Sequence, residues 1–434
     1  MIVQHWQTMV RQRGKQGVSR PGAWSLGTAV CSFALNVATI VVIARTLGPK
    51  NFGIYMFVLW LATAAVPAIG VGMSSVTSRY LASIQGREKP RLIAGIFRFV
   101  WQRQYRSIRL YCCIYLLLAW PLSWFFGAKA PLLLLLLAGL SALPILLSGV
   151  ASITLRSLRR FDLLAALRLF GAGTSLLLVF MATQFQGEQT GMFLLASAIT
   201  STLTLMMALF CILCLLPMKQ AVEPGMLLQD RLTRGLSNSL LLFILDGIVW
   251  QGSEMLLLAH GYSTAALGFY ALSSLISTRV IGIAPTIFST CILPLVLRYM
   301  PGQHYISAGD AFLKTSHYIA LLAVPLCLGA FFCCPILISW CFGAAYLGVV
   351  TPLRILLVSA LCGSVATISL THLAHGERKR AQTHLGIVAA LINILLAVPL
   401  IAFLGVTGAA MASAMAQIVS AIGSICICKK MILG

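Results

Sequence analysis

Charged residues are scarce in this chain of 434 residues, and acidic residues are rarer still. Only 9% of the residues are charged, and only 9 are Asp or Glu, whereas 59% are hydrophobic. A water-soluble protein needs a charged and polar surface, so this composition excludes an ordinary soluble globular fold. We therefore expect the chain to lie in a lipid bilayer.

Sequence signatures of cofactor chemistry are also missing. No glycine-rich loop ending in Lys and Ser or Thr occurs, which argues against ATP hydrolysis. Nearly all of the 13 cysteines fall in apolar runs, and their spacing indicates no metal site. We predict neither a cofactor nor a metal. The net charge of +22 is spread over segments that flank apolar runs, so membrane topology and anionic lipids explain it better than a nucleic acid does.

Twelve apolar runs of about 20 residues each predict twelve transmembrane helices. Barrel strands would alternate apolar and polar residues, and runs such as Leu132 to Leu137 do not. The predicted fold is thus an all-α polytopic membrane protein. The approximate limits are 23–44, 53–75, 108–127, 130–155, 163–183, 191–216, 237–259, 267–296, 315–336, 350–371, 385–404 and 407–428.

The sequence contains two related halves. The segment ARTLGPKNFGIY, which begins at Ala44, is echoed by AHGYSTAALGFY, which begins at Ala259. Duplicated membrane proteins are most often transporters with a substrate site between the copies. Six spans in each copy is an even number, so the copies form a parallel repeat. We predict an N-terminal lobe at 1–218, a cytoplasmic connector at 219–236 and a C-terminal lobe at 237–434. The matching positions are Ala44 with Ala259, Gly53 with Gly268, and Tyr55 with Tyr270.

Once these spans are placed, most basic residues lie on one side of the membrane. Of the 31 Lys and Arg residues, most lie in the two tails and alternate loops, and only Arg45, Lys50 and Lys129 lie on the opposite side. The positive-inside rule therefore places both termini in the cytoplasm. The first run is too long for a signal-peptide core and ends in Arg45, so we expect it to be the first span.

The ARTLGPKNFGIY segment, Gly70 and Gly72 in the second span, and SRYLA at 78–82 resemble bacterial polysaccharide translocases. These are the O-antigen and exopolysaccharide flippases of the multidrug/oligosaccharidyl-lipid/polysaccharide exporter superfamily. The resemblance implies a protein of the bacterial inner membrane that moves a polyprenyl-diphosphate-linked oligosaccharide from the cytoplasmic to the periplasmic leaflet. It further implies alternating access, coupling to an ion gradient, a role in lipopolysaccharide or exopolysaccharide assembly, and association with a polysaccharide polymerase and a chain-length regulator.

Ionisable side chains in the middle of a bilayer are costly, so each one is a functional candidate. Asp246 and Glu254 are eight positions apart in the seventh span, about 80° apart around a helix. Arg279 in the eighth span lies at a similar depth to Asp246, so we expect these two to approach each other or share a cavity. Arg279 is the predicted diphosphate ligand, because a guanidinium offers phosphate a planar fork of donors. Asp246 or Glu254 is predicted to bind Na⁺ or a proton. A static structural pair of Asp246 and Arg279 is the alternative.

Three further arginines are candidates for substrate binding, each with a structural alternative. Arg45 lies at the outer rim near Gly48 and Pro49, where it either belongs to a tight turn or contacts head groups. Arg79 heads a cytoplasmic loop rich in basic residues, which either fixes topology or gathers anionic lipid diphosphates. Arg354 lies near a helix end at a depth similar to that of Glu254, and it either extends to the interface or faces a cavity.

Three other functions stay open. A drug or cation antiporter of the multidrug and toxin extrusion branch shares the two-lobe plan but favours cavity acids without a matched arginine. A membrane polymerase or glycosyltransferase needs a sizeable extramembrane platform, and every predicted outer connection is shorter than about fifteen residues. A purely structural partner in a glycan assembly complex leaves the intramembrane charges unexplained. We therefore expect a transporter and no enzymatic activity.

Overall fold

The computed structural model describes residues 20–64, 90–158, 160–185, 187–216, 253–287, 308–375 and 379–433. All regular elements in these ranges are helices, and no strand occurs among them. The α-helices are α1 (Arg20–Thr63), α2 (Pro90–Phe126), α3 (Leu132–Ser157), α4 (Phe161–Thr183), α5 (Gln189–Leu215), α6 (Ser253–Gly261), α7 (Thr264–Ile287), α8 (Ala308–Cys341), α9 (Val350–His375), α10 (Lys379–Leu404) and α11 (Val406–Leu433). Short 3₁₀ segments at Gly127–Lys129 and Ala344–Val349 precede α3 and α9.

The predicted all-α polytopic membrane fold is confirmed. Within the described ranges, 10 helical stretches are long and apolar enough to cross a bilayer. The first stretch, Gly27–Thr63, contains the first predicted span from Gly27 onward and the second up to Thr63. The seventh predicted span is described only from Ser253 onward and the eighth only up to Ile287. Within the described residues, the stretches and α6 correspond to the twelve predicted spans.

The first two spans are joined without a loop. Gly48 breaks the helical path of α1 with φ 65° and ψ 171°, and Pro49 follows it directly. Glycine tolerates this left-handed φ, while proline has no N–H to give and its fixed φ suits the first position of the next helix. The two residues therefore form the tight turn that the sequence predicts.

Glycines of positive φ mark the predicted outer side of the protein. Those among the described residues are Gly48, Gly127, Gly343 and Gly405, and all four lie where two predicted spans meet on that side. Such a residue ends a helix abruptly because only glycine enters the left-handed region without steric cost. The outer connections between described α-helices are at most eight residues long, and the longest, 342–349, consists mostly of the 3₁₀ segment Ala344–Val349.

The chain divides into two compact units. The N-unit contains residues 27–248 and the short segment 263–268, and the C-unit contains 1–26, 249–262 and 269–434. In the N-unit, α2 to α5 surround a core at their predicted cytoplasmic ends, which includes Ile96, Phe97, Val150 and Ile212. The predicted connector at 219–236 lies outside the described residues, so the lobe limits stay a prediction.

The C-unit is held together by close helix packing. Helix α11 packs along both α9 and α10, and its contact face is rich in buried alanines such as Ala409, Ala410 and Ala412. Small residues let the backbones of membrane helices approach closely, and van der Waals contact then replaces the hydrophobic effect as the source of stability. This packing brings five helices around one polar site.

Candidate functional site

Helix α6 carries Glu254 into the interior of the C-unit. The side chains of Ser253, Glu254, Met255 and Leu258 are buried, and Glu254 is 0% exposed. The outer end of this helix is fixed by Tyr262, whose hydroxyl donates a hydrogen bond of 2.5 Å to the carbonyl of Ile401 in α10. The carboxyl of Glu254 is therefore held in place by packing and by an anchor two turns away.

Neutral polar groups surround this carboxyl. Ser253 Oγ donates to Glu254 Oε2 at 3.2 Å, and Asn393 Nδ2 donates to Ser253 Oγ at 3.3 Å. The side chains of Asn393 and Tyr270 also lie beside the carboxyl. Neither Glu254 Oε1 nor Tyr270 Oη has a described hydrogen-bond partner at bonding distance and geometry. One carboxyl oxygen therefore retains unused capacity to accept a hydrogen bond or bind a cation.

The polar groups continue beyond Tyr270 as a chain. Tyr270 neighbours Ser413, which accepts a hydrogen bond of 3.3 Å from Gln417 Nε2. Gln417 Oε1 in turn accepts a hydrogen bond of 2.8 Å from Ser359 Oγ. Tyr270 lies in α7, Ser359 in α9, and Ser413 and Gln417 in α11. The whole set, called the buried polar cluster below, consists of Ser253, Glu254, Tyr270, Ser359, Asn393, Ser413 and Gln417.

The chemistry of this cluster suits a small hard cation or a proton. An ionised carboxylate is costly to bury when its partners are neutral, so a positive species that neutralises it gains stabilisation there. Carboxylate, hydroxyl and amide oxygens are ligands of hard cations, not of soft transition metals. No group of three or more His, Cys, Asp or Glu occurs among the described residues, so nothing in those ranges points to a multivalent metal centre.

Arg279 lies on an exposed face of α7 inside a membrane span. It is 15 residues from the start of the helix at Thr264, which corresponds to about 22 Å from the outer end. Thr278, Gly282 and Thr286 are exposed on the same part of the helix. The opposite face is buried, and Ser277 Oγ there donates to the carbonyl of Leu356 at 3.1 Å.

This exposed polar face differs from a face that meets lipid. From Val388 onward the exposed side chains of α10 are apolar, as in Val388, Leu391, Leu395 and Val398. An arginine among exposed polar residues inside a membrane span is typical of a wall that faces water or substrate. The exposed stripe of α7 is therefore the strongest cavity candidate in the described part of the chain.

Arg354 is engaged by its own unit. Its Nε donates to the carbonyl of Phe331 at 3.2 Å, and its guanidinium carbon lies 5.1 Å above the ring of that residue. Glu254 binds Ser253 instead, so the two residues predicted at similar depth do not form a pair. These contacts favour the structural alternative for Arg354, and its substrate role stays a prediction.

The other predicted residues are distributed differently. Arg45 is exposed close to the Gly48 kink, as the rim position requires. Asp246 and Arg79 lie outside the described residues, and so does the expected approach of Asp246 to Arg279.

The sequence did not predict Asn393 and Gln417 as members of the buried polar cluster. The only available signal was a lone amide side chain in each of two apolar runs, which is common in helix bundles.

Comparison with known proteins points to one family. Residues 42–351 match the family described as polysaccharide biosynthesis protein. No curated protein sequence matches the chain. Among solved structures, the lipid II flippase MurJ in an inward closed conformation is similar, with a TM-score of 0.67 and 15% identity, over 94% of this chain and 87% of that one.

Two transporters have similar folds as well. An inward-facing multidrug resistance MATE family transporter of the MOP superfamily has a TM-score of 0.66 and 14% identity, over 95% of this chain and 98% of that one. A MOP superfamily transporter from Pyrococcus furiosus has a TM-score of 0.61 and 15% identity, over 97% and 96% of the two chains. At these identities the likeness establishes the fold and leaves the cargo open.

Proposed function

The chain belongs to the family of polysaccharide biosynthesis proteins, and we propose that it is a flippase for a polyprenyl-diphosphate-linked oligosaccharide. It would move this lipid from the cytoplasmic to the periplasmic leaflet of a bacterial inner membrane, with both of its own termini in the cytoplasm. The family, the multi-pass helical fold and the fold likeness to a lipid II flippase support this proposal.

The exposed position of Arg279 carries the proposal. A guanidinium carries a positive charge and offers several N–H donors in one plane, which matches the oxygens of a diphosphate. The threonines beside it donate their hydroxyl protons to carbonyls of the same helix and bring no competing negative charge. The positive charge would hold the head group of the lipid while the oligosaccharide crosses through a hydrated path.

Glu254 and the buried polar cluster supply a site for ion coupling. Binding of Na⁺ or a proton at the free side of the carboxyl would neutralise it, and release would restore a buried charge. Such a difference in free energy can bias two conformations of a transporter and so drive alternating access. Asp246 remains the second proposed ion site.

Arg79 and Arg45 are proposed to contact diphosphate head groups, Arg79 at the cytoplasmic end of the path and Arg45 at its outer end.

A multidrug or cation antiporter is the second candidate, because a MATE family transporter has nearly the same fold similarity as the flippase. The electrostatics of α7 argue against it. An exposed arginine at mid-membrane repels a cationic drug and attracts an anionic head group. Association with a polysaccharide polymerase and a chain-length regulator belongs only to the flippase proposal.

Depletion of the protein in its host tests the proposal. We expect the lipid-linked oligosaccharide to accumulate in the cytoplasmic leaflet and the surface polysaccharide to disappear, and re-expression of the unaltered chain to reverse both. The trapped lipid then identifies the sugar by mass spectrometry. Normal surface polysaccharide together with heightened sensitivity to cationic dyes would overturn the flippase proposal and favour the antiporter.

A further inference from the structure

The first half of α2 carries a basic face that has no acidic partner in the helix. The helix Pro90–Phe126 contains no Asp or Glu. With 37 residues it is about 55 Å long, far more than the roughly 30 Å of a bilayer core. The part before residue 108 therefore extends beyond the predicted third span on the predicted cytoplasmic side. The basic residues of the helix are Arg91, Arg98, Arg103, Arg106 and Arg109.

Packing fixes which face of α2 points outward. Ile93, Ile96, Phe97 and Val100 are buried in the core of the N-unit. Gln104 is buried on the same side, and its Nε2 donates to the carbonyl of Leu146 in α3 at 3.4 Å. The helix cannot rotate without breaking these contacts, so Arg106 and Arg109 stay on the exposed surface.

An open groove lies on that surface. Its volume is about 480 Å³, and Trp101, Gln102, Tyr105, Arg106 and Arg109 line it. The guanidinium carbon of Arg109 lies 5.5 Å from the centre of the Tyr105 ring. A cation over an aromatic face still directs its N–H groups outward in its own plane, where they can bind an anion. Arg106 is three positions away, so both guanidinium groups can reach one phosphate group.

The groove lies where the exposed surface of α2 changes from polar to apolar. Immediately after Arg109, the exposed side chains are Leu110 at 63%, Ile114 at 47% and Leu117 at 75% exposure. Trp101 and Tyr105 are aromatic residues with a polar end, which are enriched at the boundary between lipid and water. A lipid could therefore place its head group in the groove and its acyl chains along the leucines.

We propose that the groove of Trp101, Tyr105, Arg106 and Arg109 is a binding site for an anionic phospholipid of the cytoplasmic leaflet. Charge complementarity identifies the occupant. The acidic residues in the described part of the N-unit are Asp162, which pairs with Arg160 at 3.4 Å, and Glu188, which lies on the predicted outer side. Neither residue lines the groove, and the phosphate of a lipid can supply a negative charge there. The site goes beyond the proposed flippase function, since its occupant is a membrane lipid and not the cargo.

Native mass spectrometry of the full chain tests this site. The purified protein is titrated with phosphatidylglycerol and, separately, with phosphatidylcholine, which has a phosphate but no net charge. The test variant is Arg106→Gln/Arg109→Gln. The control Arg98→Gln/Arg160→Gln removes the same charge from exposed arginines that do not line the groove. We expect the tightest phosphatidylglycerol adduct to weaken at least about tenfold in the test variant and to persist in the control.

Two results would overturn the proposal. Equal weakening in both variants would show diffuse attraction without a site, and an unchanged adduct in the test variant would place the lipid elsewhere. A competition with undecaprenyl diphosphate separates lipid from cargo. Displacement of phosphatidylglycerol by an equimolar amount of this lipid would assign the groove to the cargo and would also contradict us. Tyr105→Leu provides a second variant with both arginines intact, and a weakened adduct is expected there as well.

Discussion

Gly53 and Gly268 are in backbone contact, although 215 positions separate them in the sequence. A Cβ atom on Gly268 would lie 3.3 Å from the N and 3.4 Å from the Cα of Gly53, and closer still to the carbonyl oxygen of Pro49. A Cβ atom on Gly53 would lie 2.8 Å from the N of Gly268 and would collide with the carbonyl oxygen of Thr264. The two glycines match each other in the repeat, so the motif packs against its own copy within the N-unit.

Alanine at either glycine should therefore separate the two segments. We expect Gly53→Ala and Gly268→Ala each to lower the free energy of unfolding by about 1–3 kcal/mol, since backbone atoms cannot yield as a flexible side chain can. Thermal unfolding of the purified protein measures this. Gly173→Ala is the matched control, because a Cβ there meets no atom within 4 Å. An unfolding midpoint unchanged by Gly268→Ala would show that the contact opens without cost.

Arg279→Ala should abolish transport and leave the protein folded in the membrane. The side chain is exposed on α7, so its loss creates no cavity, and a diphosphate would lose its donor fork. Arg279→Lys should retain part of the activity, since it keeps the charge but not the planar geometry. Complementation of the depleted host and the level of membrane-inserted protein are the measurements. Full activity of Arg279→Ala would remove this residue from the mechanism.

Glu254→Gln should uncouple transport from the ion gradient without lowering stability. Glutamine has nearly the same shape and can still bond Ser253, but it costs less to bury than a carboxylate and cannot exchange a proton or attract Na⁺. The measurements are gradient-driven transport and the increase in unfolding temperature that Na⁺ or low pH produces. Glu188→Gln, at an exposed outer position, is the control and should behave as the unaltered chain. An unchanged ion response in Glu254→Gln would direct attention to Asp246.

Variants of Arg354 distinguish a structural role of this residue from contact with substrate. From its hydrogen bond and its stacking on Phe331, we expect Arg354→Ala to lower the free energy of unfolding by about 1–3 kcal/mol. Arg354→Lys should be nearly as destabilised, because lysine has no Nε–H donor at that position. A lysine variant with normal stability but weakened binding of the lipid substrate would instead establish the predicted substrate role.

The length of the apolar runs was enough to predict the helices, because a bilayer imposes one requirement on every span. It was not enough for the beginning of α2. The predicted third span starts at 108, but the helix starts at Pro90. In the preceding residues, apolar and basic side chains recur at helical spacing and lie on different faces of the helix. The spacing favours a helix, but the basic residues lower the mean hydropathy below that of a membrane span. A search for continuous apolar runs does not detect such a segment.

The candidate site was only partly predictable. Glu254 could be singled out because an acid in an apolar run is rare, and Arg279 for the same reason. Tyr270, Asn393 and Ser413 come from three other helices, and nothing in their local sequence separates a ligand from an ordinary bundle hydrogen bond. Their assembly into one cluster around Glu254 and Tyr270 depends on the tertiary packing of the C-unit, which single-sequence patterns do not encode.

The tight glycine turns on the outer side have a consequence for detection of the protein. Antibodies recognise protruding loops, and connections of at most eight residues between membrane helices offer them little exposed chain to bind. Binders raised against whole cells should therefore rarely select this protein. An epitope tag inserted at Gly127–Lys129 would lengthen one of these turns beyond its native size, and its accessibility in intact cells would report directly which side of the membrane those turns face.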